Sequence, residues 1–126
     1  MIMEMTYPQR YAELQSLLAK LGKELPGPIS GFARLHRDSV AQGTLASKTK
    51  ELIALAIAIA IRCEDCIAYH VHDSLHAGAT HQEVIETIGV AVMMGGGPAS
   101  MYACRAYEAL QQFEASSASQ TVTLNA

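Results

Sequence analysis

The sequence has little charge and few cysteines, and each shortage excludes a class of protein. Only 17% of its 126 residues are charged, against about a quarter in ordinary globular domains. Nine basic residues face twelve acidic ones, for a net charge of −3, and no basic patch stands out, so no nucleic-acid partner is expected. The three cysteines form an odd, sparse set, unlike the dense, even set of a secreted disulfide scaffold.

Long hydrophobic runs are also missing, and no secretory leader is expected. The longest apolar run is "LIALAIAIAI", Leu52 to Ile61, which is half of the roughly 20 residues that a membrane span needs. The N-terminal "MIMEMTYPQR" lacks the basic start and apolar stretch of a secretory signal. We therefore expect a soluble, cytoplasmic protein with no membrane partner.

Apolar residues, by contrast, make up 50% of the chain. Its length suits one domain with a core of moderate size. The charged residues are too few to cover every helix face, so some apolar surface is expected to meet another subunit. The composition therefore predicts a homo-oligomer.

Apolar spacing and helix-end residues predict an all-α bundle without strands. In "LAIAIAI" both alternating partners are apolar, which favours a helix buried nearly all round over a half-buried strand. We predict one helical domain over residues 1–114 and a flexible tail over 115–126. The predicted helices run from Pro8 to about Leu21, from Ile29 to about Ala41, over about 48–61, over about 63–77, from Thr80 to Met94, and from Pro98 to about Phe113. Thr80 and Glu83 match a capping box. One apolar face of the first helix carries Tyr11, Leu14, Leu17, Leu18 and Leu21.

The motif "RCEDCIAYHVH", Arg62 to His72, carries the candidate chemistry. On a helix, Cys63, Cys66 and His70 fall within about 60° of one another. A histidine one turn after a cysteine can take the thiol proton, and the positive end of the helix stabilises a thiolate. Glu64 and Asp65 act in the opposite direction, because nearby carboxylates disfavour a thiolate.

Three interpretations of the motif are open: inert core thiols, a zinc site, and a dithiol–disulfide couple. Zinc would take the two cysteines and His70, but a closed structural site needs a fourth ligand, and His72 points about 200° away from His70 on a helix. Haem attachment is excluded because Ile67, rather than histidine, follows the second cysteine. The dithiol–disulfide couple needs no fourth ligand and is favoured.

The combination Glu51…Cys63-x-x-Cys66-x-x-x-His70, preceded by "KTKELIALA" and followed by "HAGATHQEVIET", resembles the AhpD-like branch of the carboxymuconolactone decarboxylase family. "MMGGGPASMYACRAYEAL" further resembles its small single-domain members. The resemblance covers about residues 28–110. It implies an all-helical fold, assembly into trimers or hexamers, and thiol-dependent peroxidase or disulfide-reductase activity in antioxidant defence. The substrate would be a hydroperoxide or a disulfide, the partner a reducing dithiol, and no cofactor or metal is implied.

By that resemblance, Cys66 would be the attacking thiol, Cys63 the resolving thiol, His70 the base and Glu51 its partner. The founding peroxidase has a histidine between its cysteines, where this chain has Asp65. On one straight helix Glu51 would lie about 18 Å from Cys63. The roles therefore require a chain reversal at about 61–64.

Two alternative functions stay open: a zinc-binding structural oligomer, and a lactone decarboxylase of the wider family. "GGGP" is expected to form a tight turn. For the remaining candidates we expect structural or surface roles. His72 and His76 are expected on a polar face, and His36 and His81 to be structural or exposed. The last helix is expected to carry Met101, Ala103, Cys104, Tyr107 and Leu110 inward, with Cys104 a small buried hydrophobe. Met93 and Met94 are expected in the core or walling a peroxide pocket.

Overall fold

The structure, a computed structural model, describes residues 5–125 of the chain, with side chains described over 5–118. Within that range the chain forms five helices and no strand, so the predicted all-α fold is confirmed. In chain order the helices are α1 Tyr7–Glu24, α2 Pro26–Val40, α3 Ser47–Ala60, α4 Glu64–His76 and α5 His81–Asn125.

Local chemistry fixes several helix ends. The Thr6 side chain accepts a hydrogen bond from the backbone of Gln9 and caps α1. A single residue, Leu25, separates α1 from α2, which is a shorter break than the sequence predicted. The predicted capping box at the start of α5 is present, because Thr80 and Glu83 each accept a hydrogen bond from the other's backbone N–H.

The core lies between α3, α4 and α5, which pack against one another. Only one face of α3 contributes to it; a stripe of isoleucines on another face is exposed, with Ile57 54% exposed. The prediction that α3 is buried nearly all round is therefore wrong for the single chain, because the chain supplies helices to cover only part of it. The largest fully buried side chains are Leu55, Ile59, Ile67, Leu110, Val71 and Val84; the exposed stripe is Ile53, Ile57 and Ile61.

The hairpin of α1 and α2 packs less completely. Only the start of α1 reaches the core, through buried Tyr7 and half-buried Tyr11. The sequence placed Leu17, Leu18 and Leu21 on one apolar face of α1, but all three are exposed in the single chain. This hairpin forms one wall of the cavity described below.

Helix α5 is broken at Gly96, which has φ 71° and ψ −152°. These angles belong to a region that is essentially restricted to glycine. The predicted interruption at "GGGP" is therefore present, as a kink at one residue in place of a tight turn. The helix then continues to Asn125, beyond the predicted end near Phe113. Of the predicted 115–126 tail, Ala126 and the side chains over 119–126 lie outside the described residues.

The second half of α5 contacts the core through alanines and through Leu110 and Phe113. Ala103 and Leu110 are buried as predicted, together with Ala99 and Ala106. Met101, Cys104 and Tyr107 are exposed, so their predicted inward placement is wrong. The alanines let this part of α5 approach the other helices closely. Met93 and Met94 are also exposed and do not belong to the core. By length and composition alone, His81–Ala118 could cross a membrane, but Gly96 interrupts its helical geometry.

Candidate functional site

A chain reversal between α3 and α4 assembles the site, as the sequence required. Helix α3 ends at Ala60, and Arg62 adopts the left-handed conformation with φ 62°. Cys63 follows immediately and caps α4, its Sγ accepting a hydrogen bond from the Cys66 N–H at 3.2 Å. The reversal lays α4 antiparallel to α3, so that Glu51 comes level with the first turns of α4.

The two cysteines of the motif are joined in a disulfide, with Cα atoms 5.2 Å apart. Cys66 is half-buried and packs against the core. Cys104, by contrast, is a free thiol on the surface. The prediction that it is a small buried hydrophobe is wrong, because its neighbour Ala103 takes the inward position.

Glu51 and His70 form the hydrogen-bonded pair that the sequence proposed. Glu51 Oε2 lies 2.9 Å from His70 Nδ1, and the Glu51 residue is only 5% exposed. A carboxylate can only accept, so Nδ1–H donates and the other ring nitrogen, Nε2, keeps its lone pair when the ring is neutral. A histidine oriented in this way is equipped to accept a proton from a neighbouring group.

An apolar cavity of about 560 Å³ borders both Cys66 and His70. Its other walls come mainly from the α1–α2 hairpin, with leucine, isoleucine and phenylalanine side chains. The disulfide and the imidazole therefore meet a space suited to an apolar molecule. The hairpin residues that line it are Leu14, Leu18, Ala19, Ile29, Phe32, Ala33 and His36.

The two acids between the cysteines have partners on α1. Tyr7 Oη donates a hydrogen bond of 2.8 Å to Glu64 Oε1, and Arg10 Nη1 lies 3.3 Å from Asp65 Oδ1. Burial, followed by the Glu64 contact, raises the pKa of Tyr7 well above its usual value. The Arg10 guanidinium offsets part of the Asp65 charge that would disfavour a thiolate, whereas the neutral Tyr7 hydroxyl leaves the Glu64 charge in place. No local pattern indicated these contacts, since Tyr7 lies 57 positions from Glu64.

The other histidines have separate environments. His72 stacks on Tyr11 with ring centroids 3.9 Å apart, and its Nδ1 lies 2.8 Å from Asp73 Oδ1. Burial raises the pKa of Tyr11 to about 12. His76 stacks on His72, with centroids 5.9 Å apart. His81 pairs with an exposed carboxylate, that of Glu114.

His36 is the residue whose position the sequence least predicted. It was expected to be structural or exposed, but its Nε2 lies 4.0 Å from Glu51 Oε1, and its ring stands 6.0 Å from that of His70. Asp73, one turn after His70, completes this group of side chains. The three-residue spacing between His70 and Asp73 could have indicated that both lie on the same face of α4. Nothing in the sequence indicated that α2 packs beside Glu51.

Comparison with known proteins decides the family. The model of the carboxymuconolactone decarboxylase family matches residues 29–109. The chain belongs to the carboxymuconolactone decarboxylase family. The family prediction is thereby confirmed, and the AhpD-like resemblance is consistent with it. An uncharacterised protein of Cupriavidus necator is 34% identical over 97 residues, which cover 77% of this chain and 86% of that one.

Two crystal structures of carboxymuconolactone decarboxylase family proteins are similar to this chain. The one from Legionella pneumophila is 42% identical, with a TM-score of 0.81, covering 85% of this chain and 96% of that one. The one from Thermotoga maritima is 26% identical, also with a TM-score of 0.81, covering 88% and 95%. The description of the Thermotoga protein gives an antioxidative response as a possible role.

Proposed function

We propose that the chain is a thiol-dependent oxidoreductase that reduces hydroperoxides through Cys63 and Cys66. One observation carries the proposal: a disulfide at the start of a helix faces the same cavity as a histidine that is hydrogen-bonded to a buried carboxylate. The family includes enzymes, and the redox pair adds the chemistry that is specific to this proposal.

In the proposed reaction the reduced Cys66 thiolate attacks the terminal oxygen of a hydroperoxide. The O–O bond breaks, the alcohol leaves after taking a proton, and Cys66 becomes a sulfenic acid. The Cys63 thiol then attacks the Cys66 sulfur, forming the disulfide and releasing water. His70 accepts the thiol proton and returns it to the leaving oxygen, and Glu51 holds the imidazole in position.

A second dithiol returns the enzyme to its reduced state by thiol–disulfide exchange, so the two electrons given to the peroxide come from that partner. The same sulfur can attack a disulfide in place of a peroxide, which makes disulfide reduction the companion activity. The cycle suits a reducing compartment such as the cytoplasm.

The cavity and the surface support two further parts of the proposal. The apolar lining of the cavity favours an organic hydroperoxide over hydrogen peroxide. The stripe of Ile53, Ile57 and Ile61 on α3 and the methionines Met93, Met94 and Met101 on α5 are exposed, and exposed apolar surface of this kind marks an interaction site when it is contiguous. We therefore propose that the working form is a homo-oligomer, a trimer or hexamer.

Thiol counting tests the proposed function. Fully reduced protein is mixed with one equivalent of cumene hydroperoxide, and free thiols are counted with time. Two thiols should be lost together and recovered with a dithiol reductant. Cys66→Ser should abolish this reaction, whereas Cys63→Ser should stop at a sulfenic acid. Cys104→Ser, which removes the exposed free thiol, is the matched control and should react like the parent. Retained turnover in Cys66→Ser contradicts the mechanism.

A further inference from the structure

Four potential metal-binding side chains converge beside the disulfide without including either sulfur. His36 on α2, Glu51 on α3, and His70 and Asp73 on α4 each bring one ligand atom, and all four atoms lie within 4.8 Å of one another. Glu51 is buried and the other three are half-buried. The four side chains therefore come from three different helices and meet in one place.

One atom in this group has no protein partner in its environment. Within the described residues, His36 Nε2 is buried and makes no hydrogen bond, although it lies 4.0 Å from Glu51 Oε1. A buried ring nitrogen without a partner is costly. A cation placed between His36 and Glu51 would satisfy the nitrogen and neutralise the buried carboxylate together.

Two imidazoles and two carboxylates make a donor set suited to zinc and similar divalent transition metals. Tetrahedral bonds of about 2.0–2.2 Å hold ligand atoms roughly 3.4 Å apart. The 2.9 Å separation of His70 Nδ1 from Glu51 Oε2 shows that two ligands are already in range. His36 is on the loosely packed hairpin, so a small movement of α2 brings it closer.

An entry path also exists. A cavity of about 490 Å³ is lined by His36, Glu51 and Asp73, together with His76. It lies beside the cluster and shares only His36 with the lining of the apolar cavity that borders Cys66. Arg37 lines it as well, but its charge is paired with the neighbouring Asp38 carboxylate at 3.4 Å. A hydrated cation can therefore reach Glu51 without crossing the proposed peroxide cavity.

We propose that His36, Glu51, His70 and Asp73 bind a divalent transition-metal ion of the Zn²⁺ class, and that the bound ion inhibits the thiol reaction. His70 Nδ1 and Glu51 cannot hold the ion and keep their mutual hydrogen bond. Metal binding therefore removes the contact that orients the imidazole. The inhibition, unlike the binding, rests on the proposed function.

Binding is tested first on the oxidised protein, whose closed disulfide cannot supply thiolate ligands. Co²⁺ is titrated while its visible absorption is recorded, and Zn²⁺ is then added to displace it. His36→Ala and Asp73→Asn should each weaken Co²⁺ binding at least about tenfold, since even outer contacts of metal sites affect affinity by 10- to 100-fold. His81→Ala, which removes a histidine paired with a carboxylate elsewhere, should bind like the parent.

Thermal unfolding shows whether each variant is folded and whether Zn²⁺ stabilises it. Zn²⁺ should raise the Tm of the parent and of His81→Ala, and should raise it less for His36→Ala and Asp73→Asn. Equal binding by all four proteins overturns the proposed site. Binding that occurs only after reduction, with the intense absorption of cobalt–thiolate bonds, assigns the metal to the cysteines and also overturns it.

The inhibition has its own test. Zn²⁺ should slow the hydroperoxide-driven loss of the Cys63 and Cys66 thiols in the parent, chelator should restore the rate, and His36→Ala should need at least about tenfold more Zn²⁺ for the same effect. Full activity at saturating Zn²⁺ overturns the inhibitory role. If the metal-free protein shows no thiol turnover, the proposed function is refuted. The Co²⁺ titration of the oxidised protein still tests the metal site independently.

Discussion

Replacing Glu51 with glutamine is the sharpest test of how the histidine is held. The amide keeps the size of the carboxyl group and removes its charge, in a residue only 5% exposed and 2.9 Å from His70 Nδ1. Hydrogen bonds to charged groups contribute about 1.5–3 kcal/mol. The amide oxygen still accepts a neutral hydrogen bond of about 0.5–1.5 kcal/mol, so about 1–1.5 kcal/mol is lost. If that loss falls on the transition state, the rate should fall by about 5- to 12-fold, since about 1.4 kcal/mol corresponds to a factor of ten.

The measurement is the second-order rate constant for oxidation of the reduced dithiol by cumene hydroperoxide, with chelator present. Glu114→Gln is the matched control, because Glu114 Oε1 also lies 2.9 Å from a histidine Nδ1, that of His81, but on the exposed surface. The control should keep the parent rate. A Glu51→Gln rate within about twofold of the parent, with the fold intact by circular dichroism, would refute the positioning argument.

Three further predictions concern the backbone break, the assembly and pH. Gly96→Ala should lower the free energy of unfolding by about 1–3 kcal/mol, because alanine strongly disfavours these backbone angles. Gly89→Ala, at an open helical position, should raise the free energy of unfolding by about 0.5–1 kcal/mol. Urea unfolding measures both variants, and equal changes in their free energies of unfolding would contradict the reasoning. Ile57→Asp should dissociate the proposed oligomer, because an interface cannot readily bury an unpaired charge. The control Gln82→Asp should leave the oligomer intact, and light scattering measures the mass of both variants. An intact Ile57→Asp oligomer would show that this face of α3 is not the interface. The backbone hydrogen bond from Thr80, followed by Lys48, lowers the pKa of Glu83 below 4.5. Its stabilisation is thus present above pH 4.5 and lost as the pH falls through the lowered value. The Tm difference between the parent and Glu83→Gln should shrink in acid, and a difference independent of pH contradicts this.

Much of the fold could be predicted because its signals are local. Helix periodicity, the Thr80–Glu83 cap and the glycine break act over a few residues, and all three appear in the structure. The reversal at Arg62 was inferred from the need to bring Glu51 near His70, and the 2.9 Å contact follows from it. The proposed catalytic roles of these residues remain predictions.

The errors all concern packing between helices, which a local pattern does not encode. Periodicity tells which residues share a face, but not whether this chain or another covers it. Ile57 and Leu17 were assigned to buried faces on apolar character alone, and both are exposed in the single chain. Cys104 was misplaced because small Ala103 took the inward position. The approach of His36 to Glu51 depends on how α2 packs, which no local pattern encodes.

The α3–α4 hairpin carries every residue given a part in the peroxide reaction, from Glu51 to His70, while α1 and α2 supply most of the apolar wall. Under the proposed function, the residues that react lie on α3 and α4, whereas most of the residues that select the substrate lie on α1 and α2. Mutations at Leu18 or Phe32 can alter which peroxide fits without touching proton transfer. Relatives that share the hairpin of α3 and α4 can in this way diverge in substrate while retaining one chemistry.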